Sequence, residues 1–285
     1  MSRIFPDPNA VNRVICLTGR GASKEFCALI TDTLPDLEII SKSQCFPLYL
    51  YDEPEISSPD QADLFTTTTS IKVERKRRDA ITDEGLAHFL AAYPGESISK
   101  EDVFYYVYGL LHSPEYRVSY ADNLSKELPR IPCVKTSADF WAFSKAGRAL
   151  AELHLNYETV EPYPVKIDSD GKTLNDADYL VEKMKYGKQG KEKDLATLHY
   201  NARITLTCIP LEAYDYIVNG KPALDWVVEL QCVKTDKDSG IVNDANDWAV
   251  DTMKNPRYPL ELFMRVITVS LETMKIVRGL PGLGI

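Results

Sequence analysis

The chain has 285 residues, 44% of them hydrophobic and 26% charged, a globular composition that excludes disorder or a collagen-like repeat as its overall description. Its 33 Lys and Arg against 42 Asp and Glu give a net charge of -9. That excludes a surface that grips a polyanion everywhere, but screening confines a charge's reach to about 8–10 Å, so a local basic face remains open. No window approaches the length of apolar run that spans a bilayer, and the start MSRIFPDPNAVNR lacks the apolar core of a secretory signal. The expectation is a soluble, cytoplasmic chain.

Residues 11–51 alternate short apolar runs with turns: NRVICLTG, EFCALITD, LEIIS and QCFPLYLYD. Such β-branched and aromatic runs bounded by Gly, Asp, Pro and Ser predict short strands. Residues 52–70, rich in Pro, Ser, Asp and Thr, read as an exposed loop, and the basic stretch KVERKRR follows from Lys72 to Arg78. From about 80 to 157 the period becomes helical. Asp83 is expected to cap EGLAHFLAAY, and Ser99 with Asp102 forms a capping-box pattern before VFYYVYGLLH. SADFWAFSKAGRALAELHLNYE carries Phe140, Phe143, Ala146, Leu150 and Leu153 at helical spacing, and the aromatic stripe Phe104, Tyr105, Tyr108 reads as core.

After EPYPV the alternation returns. VKIDSDGKTLND holds a turn-forming Asp-Gly, DYLVEKMKYG alternates, and TLHYNARITLTCIP reads as one strand. LEAYDYIVNG, KPALDWVVEL and PLELFMRVITVSLETMKIV read as helices, the last two joined by the polar loop KTDKDSGIVNDANDW. The fold class predicted is α+β, with mixed β-sheet parts, a helical insert and C-terminal helices. Its parts are a β-rich segment over 1–79, a helical segment over 80–160, and a β-hairpin and helical part over 161–285, all of one integrated domain.

Catalytic signatures are sparse. The six cysteines (Cys16, Cys27, Cys45, Cys133, Cys208, Cys232) form no C-x-x-C pair and read as small core residues in a reducing compartment. His88, His112, His154 and His199 are far apart, and neither H-E-x-x-H nor G-x-S-x-G occurs. Gly19-Arg20-Gly21-Ala22-Ser23-Lys24 lacks the Gly-Lys pair of a phosphate loop and reads as a turn between strands. Asp168 and Asp170 before Gly171 lack the later ligands of a Ca²⁺ loop and read as a hairpin turn. Pro59-Asp60 followed by Glu74-Arg75-Lys76 matches the loose pattern of a Mg²⁺-dependent nuclease, in which Asp60 and Glu74 would hold the ion and Lys76 would orient water. No N-P-P-Y or D-P-P-Y run of a complete DNA methyltransferase is present. Beyond these lie two basic clusters. One is Lys72 to Arg78; the other is Lys183, Lys185, Lys188, Lys191 and Lys193, set around two glycines and Tyr186. Ammonium groups on a Gly/Lys hairpin suit phosphate, and an aromatic among them can stack.

Several long runs carry a resemblance. LLHSPEYRVSYADNLSKELPRIP, residues 110–132, resembles a segment near the junction of the adenine methyltransferase and target-recognition domains of large restriction–modification polypeptides. VNGKPALDWVVELQCVKTDKDSGIVNDANDW, residues 218–248, resembles the C-terminal part of type ISP restriction–modification enzymes, and NRVICLTG, ALITD and SQCFPLYLYD resemble the start of that region. One departure is Glu229-Leu230-Gln231, where the family commonly runs into Arg-Tyr. Nearly the whole chain is covered, so an excised domain or truncated relative is expected.

The resemblance implies sequence-specific recognition of duplex DNA without a catalytic centre in this chain. An adenine-N6 methyltransferase domain is the implied partner. The nuclease and helicase-like parts, with S-adenosylmethionine, ATP and Mg²⁺, would belong to portions outside it, and no metal or membrane contact is expected here. The candidate DNA-contacting residues are Arg20, Lys24, Arg75, Lys76, Arg77, Arg78, Arg117, Lys183, Lys185, Tyr186, Lys188, Lys191 and Lys193. Arg130 lies in the same motif and equally suits an ion pair. Asn219-Gly220 suits a tight turn, and Asn243, Asp244, Asn246 and Asp247 suit loop and cap roles. The competing readings are the Mg²⁺ nuclease and a scaffold that docks on a methyltransferase domain.

Overall fold

Two compact units divide the chain, one of residues 1–151 with 281–285 and one of residues 152–280. The structure, a computed structural model, describes residues 3–36, 38–53 and 75–284.

Unit 1 opens with strands β1 (Val14–Leu17), β2 (Ala28–Thr31) and β3 (Gln44–Pro47), an antiparallel sheet with β1 in the centre. All four residues of β1 are buried, which is why the run VICL shows no polar alternation. The LEIIS run is not a strand over its described residues. Ile40 N–H donates to Ser43 Oγ, and that hydroxyl donates back to Ile40 O, so a side chain takes the backbone groups a ladder would need. The Gly19 to Lys24 stretch is part of a longer connection between β1 and β2. There Gly19 is pressed against Lys42, whose carbonyl oxygen would stand 1.8 Å from any Cβ. Strands β4 (Tyr49–Tyr51) and β5 (Arg77–Asp79) pair separately.

Helices α1 (Asp83–Ala92), α2 (Lys100–His112), α3 (Pro114–Ser119), α4 (Ala121–Leu124) and α5 (Ser137–Leu155) follow. The cap of α1 is Thr82, not Asp83: Thr82 Oγ1 accepts from Gly85 N–H, and Asp83 lies in the first turn, 2.6 Å from Lys100 Nζ. Around α2 the expected Ser99/Asp102 capping box is present. Phe104, Tyr105 and Tyr108 are buried, as their stripe predicts, and Tyr106 stacks on Phe140 at 4.8 Å. The helices α2 and α5 touch at glycines. A Cβ on Gly109 would stand 2.2 Å from Phe143 O, and one on Gly147 1.8 Å from Tyr105 O.

Unit 2 holds a four-stranded antiparallel sheet of β6 (Lys166–Asp168), β7 (Lys185–Gln189), β8 (Glu192–His199) and β9 (Thr205–Thr207), in the order β6-β9-β8-β7. Three expectations are corrected. The turn at Asp170 and Gly171, both at positive φ, is not a hairpin, because β6 pairs with β9. TLHYNARITLTCIP is two strands, broken where Asn201 Oδ1 accepts from the N–H groups of Arg203 and Ile204. LEAYDYIVNG is a single 3-10 turn, Leu211–Asp215, leading into a small hairpin of β10 (Ile217–Val218) and β11 (Lys221–Pro222) across Asn219-Gly220.

Helix α6 (Ala223–Leu230) follows as expected, but the polar loop contains a second hairpin of β12 (Val233–Thr235) and β13 (Val242–Asp244). Its turn is organised by Asp236 Oδ1, which accepts from the Asp238 and Ser239 N–H groups. A short α7 (Ala245–Asp247) and the long α8 (Tyr258–Arg278) complete the unit, whose core includes Leu198, Tyr200, Leu206, Leu224, Phe263 and Ile267. Asn246 in α7 accepts from Val181 N–H and donates to Val181 O. Cys16 and Cys27 are buried, whereas Cys208 is exposed at a φ of 63°, contrary to its expected core role.

Packing at the helix crossing can be tested directly. Gly147→Ala should lower stability in urea unfolding by about 1–3 kcal/mol despite its better helix propensity, because no room exists for a methyl group. Gly85→Ala, whose Cβ would meet only ordinary contacts at 3.5 Å, should raise it by up to about 1 kcal/mol. In unit 2, burial lowers His154 from 6.5 to about 4, and its ring stacks on Tyr216 with Nε2 2.9 Å from Thr273 Oγ1. The unfolded chain therefore takes up this proton first, so stability should fall as pH drops from about 6.5 to about 4. His154→Gln should flatten that slope in unfolding titrations.

Candidate nucleic-acid interface

The Gly/Lys cluster of unit 2 folds into the β7–β8 hairpin, closed by Gly190, at a φ of 66°, and Lys191. Its register sets Gln189 opposite Glu192 and Lys188 directly opposite Lys193. Directly opposed residues share a face, so two like charges occupy neighbouring positions there at a cost in the free protein. Between Tyr186 and Gly187 the register jumps, from Leu198 to Asp194 on the partner strand. Two of the three residues so displaced, Leu195 and Ala196, are held by bonds other than those of the ladder. Tyr214 Oη donates to Leu195 O, Ile209 N–H to Ala196 O, and Ala196 N–H to Asp194 Oδ1. Gly187 is required at the jump, since a Cβ there would lie 2.9 Å from Thr197 Cβ.

Below the lysine pair is a cavity of about 270 Å³ lined by Lys185, Tyr186, Lys188, Lys193, Asp225 and Glu229, among others. Tyr186, the candidate stacking aromatic, has its ring 5.4 Å from Lys193 Nζ. Its hydroxyl, however, is committed inward, donating to Asp225 Oδ1 at 2.7 Å. Burial, with Tyr214 and Asp225 beside it, pushes the phenol far up, so it stays protonated as a donor. Lys183 forms an isolated bridge with Cys232, and Lys191 is exposed at the tip. Among the described residues, none of Lys183, Lys185, Lys188, Lys191 and Lys193 makes an ion pair.

Unit 1 brings together two candidates that are distant in sequence. Lys24 and Arg117 line one cleft of about 370 Å³, together with Thr18, Phe26, Leu124 and Ser125. Arg117 is aimed by its Nε–H, which donates to Leu111 O at 2.8 Å, and its guanidinium stands 5.8 Å from the Phe26 ring. Arg20 is exposed on the same connection but does not line the cleft. The basic stretch before α1 is partly committed within the protein. Arg77 lies 4.1 Å over the Tyr49 ring, and Arg78 Nε donates to Asp52 Oδ1 at 3.0 Å. Lys76 is exposed and Arg75 half-buried. Arg130 pairs with Glu127 at 3.3 Å, the ion-pair alternative of its two readings.

Asp60, Glu74 and Lys72 lie outside the described residues. Among the described residues no group of His, Cys, Asp and Glu is placed to hold a metal ion, and no helix is long and apolar enough to cross a membrane. Sequence reasoning missed Phe26 and Asp225. Phe26 reads as one more apolar residue of a strand, and Asp225 faces a tyrosine on an element far away in the chain.

Comparison with solved structures matches the chain almost end to end. The ATP-dependent Type ISP restriction-modification enzyme LlaBIII bound to DNA is 36% identical with a TM-score of 0.80, over 99% of this chain and 17% of that one. A nuclease-deletion mutant of the Type ISP enzyme LlaGI, in complex with a DNA substrate mimic, is 35% identical with a TM-score of 0.73, over 98% and 18%. The DrdV–DNA complex is 34% identical with a TM-score of 0.79, over 99% and 26%. The chain thus spans about a quarter or less of the length of these structures. No curated protein matches. The family profile described as Type ISP C-terminal specificity domain matches residues 1–262. With the family pattern running through both units, the chain belongs to the Type ISP C-terminal specificity domain family.

Proposed function

We propose that the chain is the target-recognition part of a Type ISP restriction–modification polypeptide, reading a specific duplex DNA sequence without a catalytic centre of its own. The observation that carries this reading is its match, over 98–99% of its length, to portions of three proteins solved on DNA or a DNA mimic, two of them Type ISP restriction-modification enzymes. An adenine-N6 methyltransferase domain is its partner. S-adenosylmethionine, ATP and Mg²⁺ serve the other parts of that polypeptide, and the setting is the cytoplasm. Phosphates are held by the β7–β8 hairpin, where Lys188 and Lys193 sit opposed and neither makes an ion pair among the described residues, and by Lys24 and Arg117 at the unit 1 cleft. Arg20, Lys76, Lys183, Lys185 and Lys191 add exposed charge. Arg77 and Arg78 are committed to Tyr49 and Asp52, Tyr186 braces the hairpin against Asp225, and Arg75 precedes β5. Phosphate contacts set register, and sequence is read by neighbouring side chains at base edges.

Selection from a randomised duplex pool at low salt should enrich one motif of several base pairs; a bound fraction as random as the input would reject sequence-specific reading by this chain. Lys188→Ala/Lys193→Ala should weaken binding to enriched and unrelated duplexes alike. It should also reduce the slope of log affinity against log salt by about 0.9 for each phosphate that is no longer neutralised, as read by fluorescence anisotropy. An unchanged slope would remove the hairpin from the interface.

A further inference from the structure

Outside the proposed interface, β1 and β3 place two thiols face to face. Cys16 and Cys45 are direct partners in the antiparallel register, and their Sγ atoms are 3.7 Å apart. Which kind of pair they form follows from the ladder. Leu48 N–H donates to Arg13 O at 2.7 Å, which makes Arg13 and Leu48 a hydrogen-bonded site. Sites alternate along an antiparallel pair, so one step on, Val14 opposite Pro47 is non-hydrogen-bonded, as suits a residue with no N–H. Two further steps reach Cys16 and Cys45, again a non-hydrogen-bonded site. There the Cα atoms of partners approach to about 4.5 Å and side chains lie closest, within the range a disulfide spans.

Access differs between the two. Cys16 is fully buried on the central strand, whereas Cys45 is half-buried on β3, an edge of the sheet. We propose that Cys16 and Cys45 form a reversible thiol–disulfide site, with Cys45 the sulfur that meets a peroxide oxidant and Cys16 the one that resolves it.

The steps balance. The Cys45 thiolate attacks one oxygen of the peroxide, the O–O bond breaks, hydroxide leaves to become water, and Cys45 becomes a sulfenic acid. The Cys16 sulfur then attacks the Cys45 sulfur, the S–O bond breaks, and the departing hydroxide takes the Cys16 proton as a second water. Two thiols have lost two electrons and two protons to one peroxide. A dithiol reductant reverses the change by exchange. Burial and the adjacent Cys45 sulfur push the Cys16 thiol up, so Cys16 enters the resolving step as the protonated thiol. The closed bond ties residues 29 apart in sequence, at the base of the connection that carries Arg20 and Lys24.

The test uses the whole chain, treated in dilute solution with stoichiometric hydrogen peroxide. Remaining thiols are alkylated in denaturant, and unreduced tryptic peptides are read by mass spectrometry. The expected product is peptide 14–20 joined to peptide 43–72, lighter by two hydrogens than the free pair. It should come from a species that runs as a monomer on a non-reducing gel and should vanish with dithiothreitol. The oxidised chain should also unfold at higher urea than the reduced chain, and Cys45→Ala should abolish that difference. Recovery of both peptides alkylated would overturn the proposal. So would Cys45 as a sulfinic acid beside alkylated Cys16, or Cys16 joined to another cysteine. Mapping of the unaltered chain decides the matter if the variant fails to fold.

Discussion

Backbone contact between Gly109 of α2 and Gly147 of α5 is the constraint on which unit 1 depends. Two helices this close leave space for no side chain at the crossing, so the rings on either side close around it: Tyr106 on Phe140, and Phe143 against Tyr106. Arg148, one residue beyond the crossing, then reaches Glu101 and Asp102 at 2.8 Å each and lies 4.3 Å over Tyr105. Ser144 donates to Asp102 O. Burial alone would raise the Asp102 carboxyl, but Ser99 and Arg148 outweigh it and hold the group below the ordinary range. The N-terminus of α2 is thus fixed twice, by its capping box and from α5. At the other end, Leu111 O takes the Arg117 Nε–H that aims the guanidinium at Phe26. The cleft inherits its geometry from the glycine crossing.

Unit 2 reaches a comparable result by different means. Leu224 and Val227 of α6 are buried in the core, and their spacing turns Asp225 and Val228 sideways toward the hairpin. Asp225 takes the Tyr186 hydroxyl, which fixes β7 on its own side of the register jump. On the far side Gly187 fits under Thr197, and the displaced Leu195 and Ala196 of β8 are held by Tyr214, Ile209 and Asp194. A bulge of this kind increases local twist and re-aims the strand end. The tip carrying Lys188 and Lys193 is therefore oriented by a supported irregularity, although its own residues are exposed.

Signals that act within a few residues were legible in the sequence. The Ser99 capping box, the apolar period of α5 and α8, the buried run of β1 and the Asn219-Gly220 turn all depend on neighbours in the chain. What escaped was competition for backbone groups. Ser43 took those of Ile40, Asn201 those of Arg203 and Ile204, and Thr82 rather than Asp83 accepted the Gly85 N–H in the first turn of α1. Each exchange involves a polar side chain with more than one feasible partner. The interface divides likewise. The hairpin lysines are visible because glycines and lysines alternate locally, whereas the pairing of Lys24 with Arg117 and of Tyr186 with Asp225 exists only once the chain has folded.

The charge balance gains meaning from this placement. Arg78 and Arg130 are already paired with Asp52 and Glu127, at exposed positions where such pairs contribute about 0–1 kcal/mol, and Arg203 is paired with the buried Asp178. They have little attraction left for a polyanion. Lys188 and Lys193 repel each other in the free protein, and an anion between them turns that cost into a gain on binding. For the proposed role, a net charge of -9 screened over about 8 Å leaves most of the surface unattractive to a duplex while sparing these cations. Binding is then confined to a few phosphates at defined positions. That arrangement favours register along the duplex over affinity for DNA in general, as a domain that must tell one sequence from another requires.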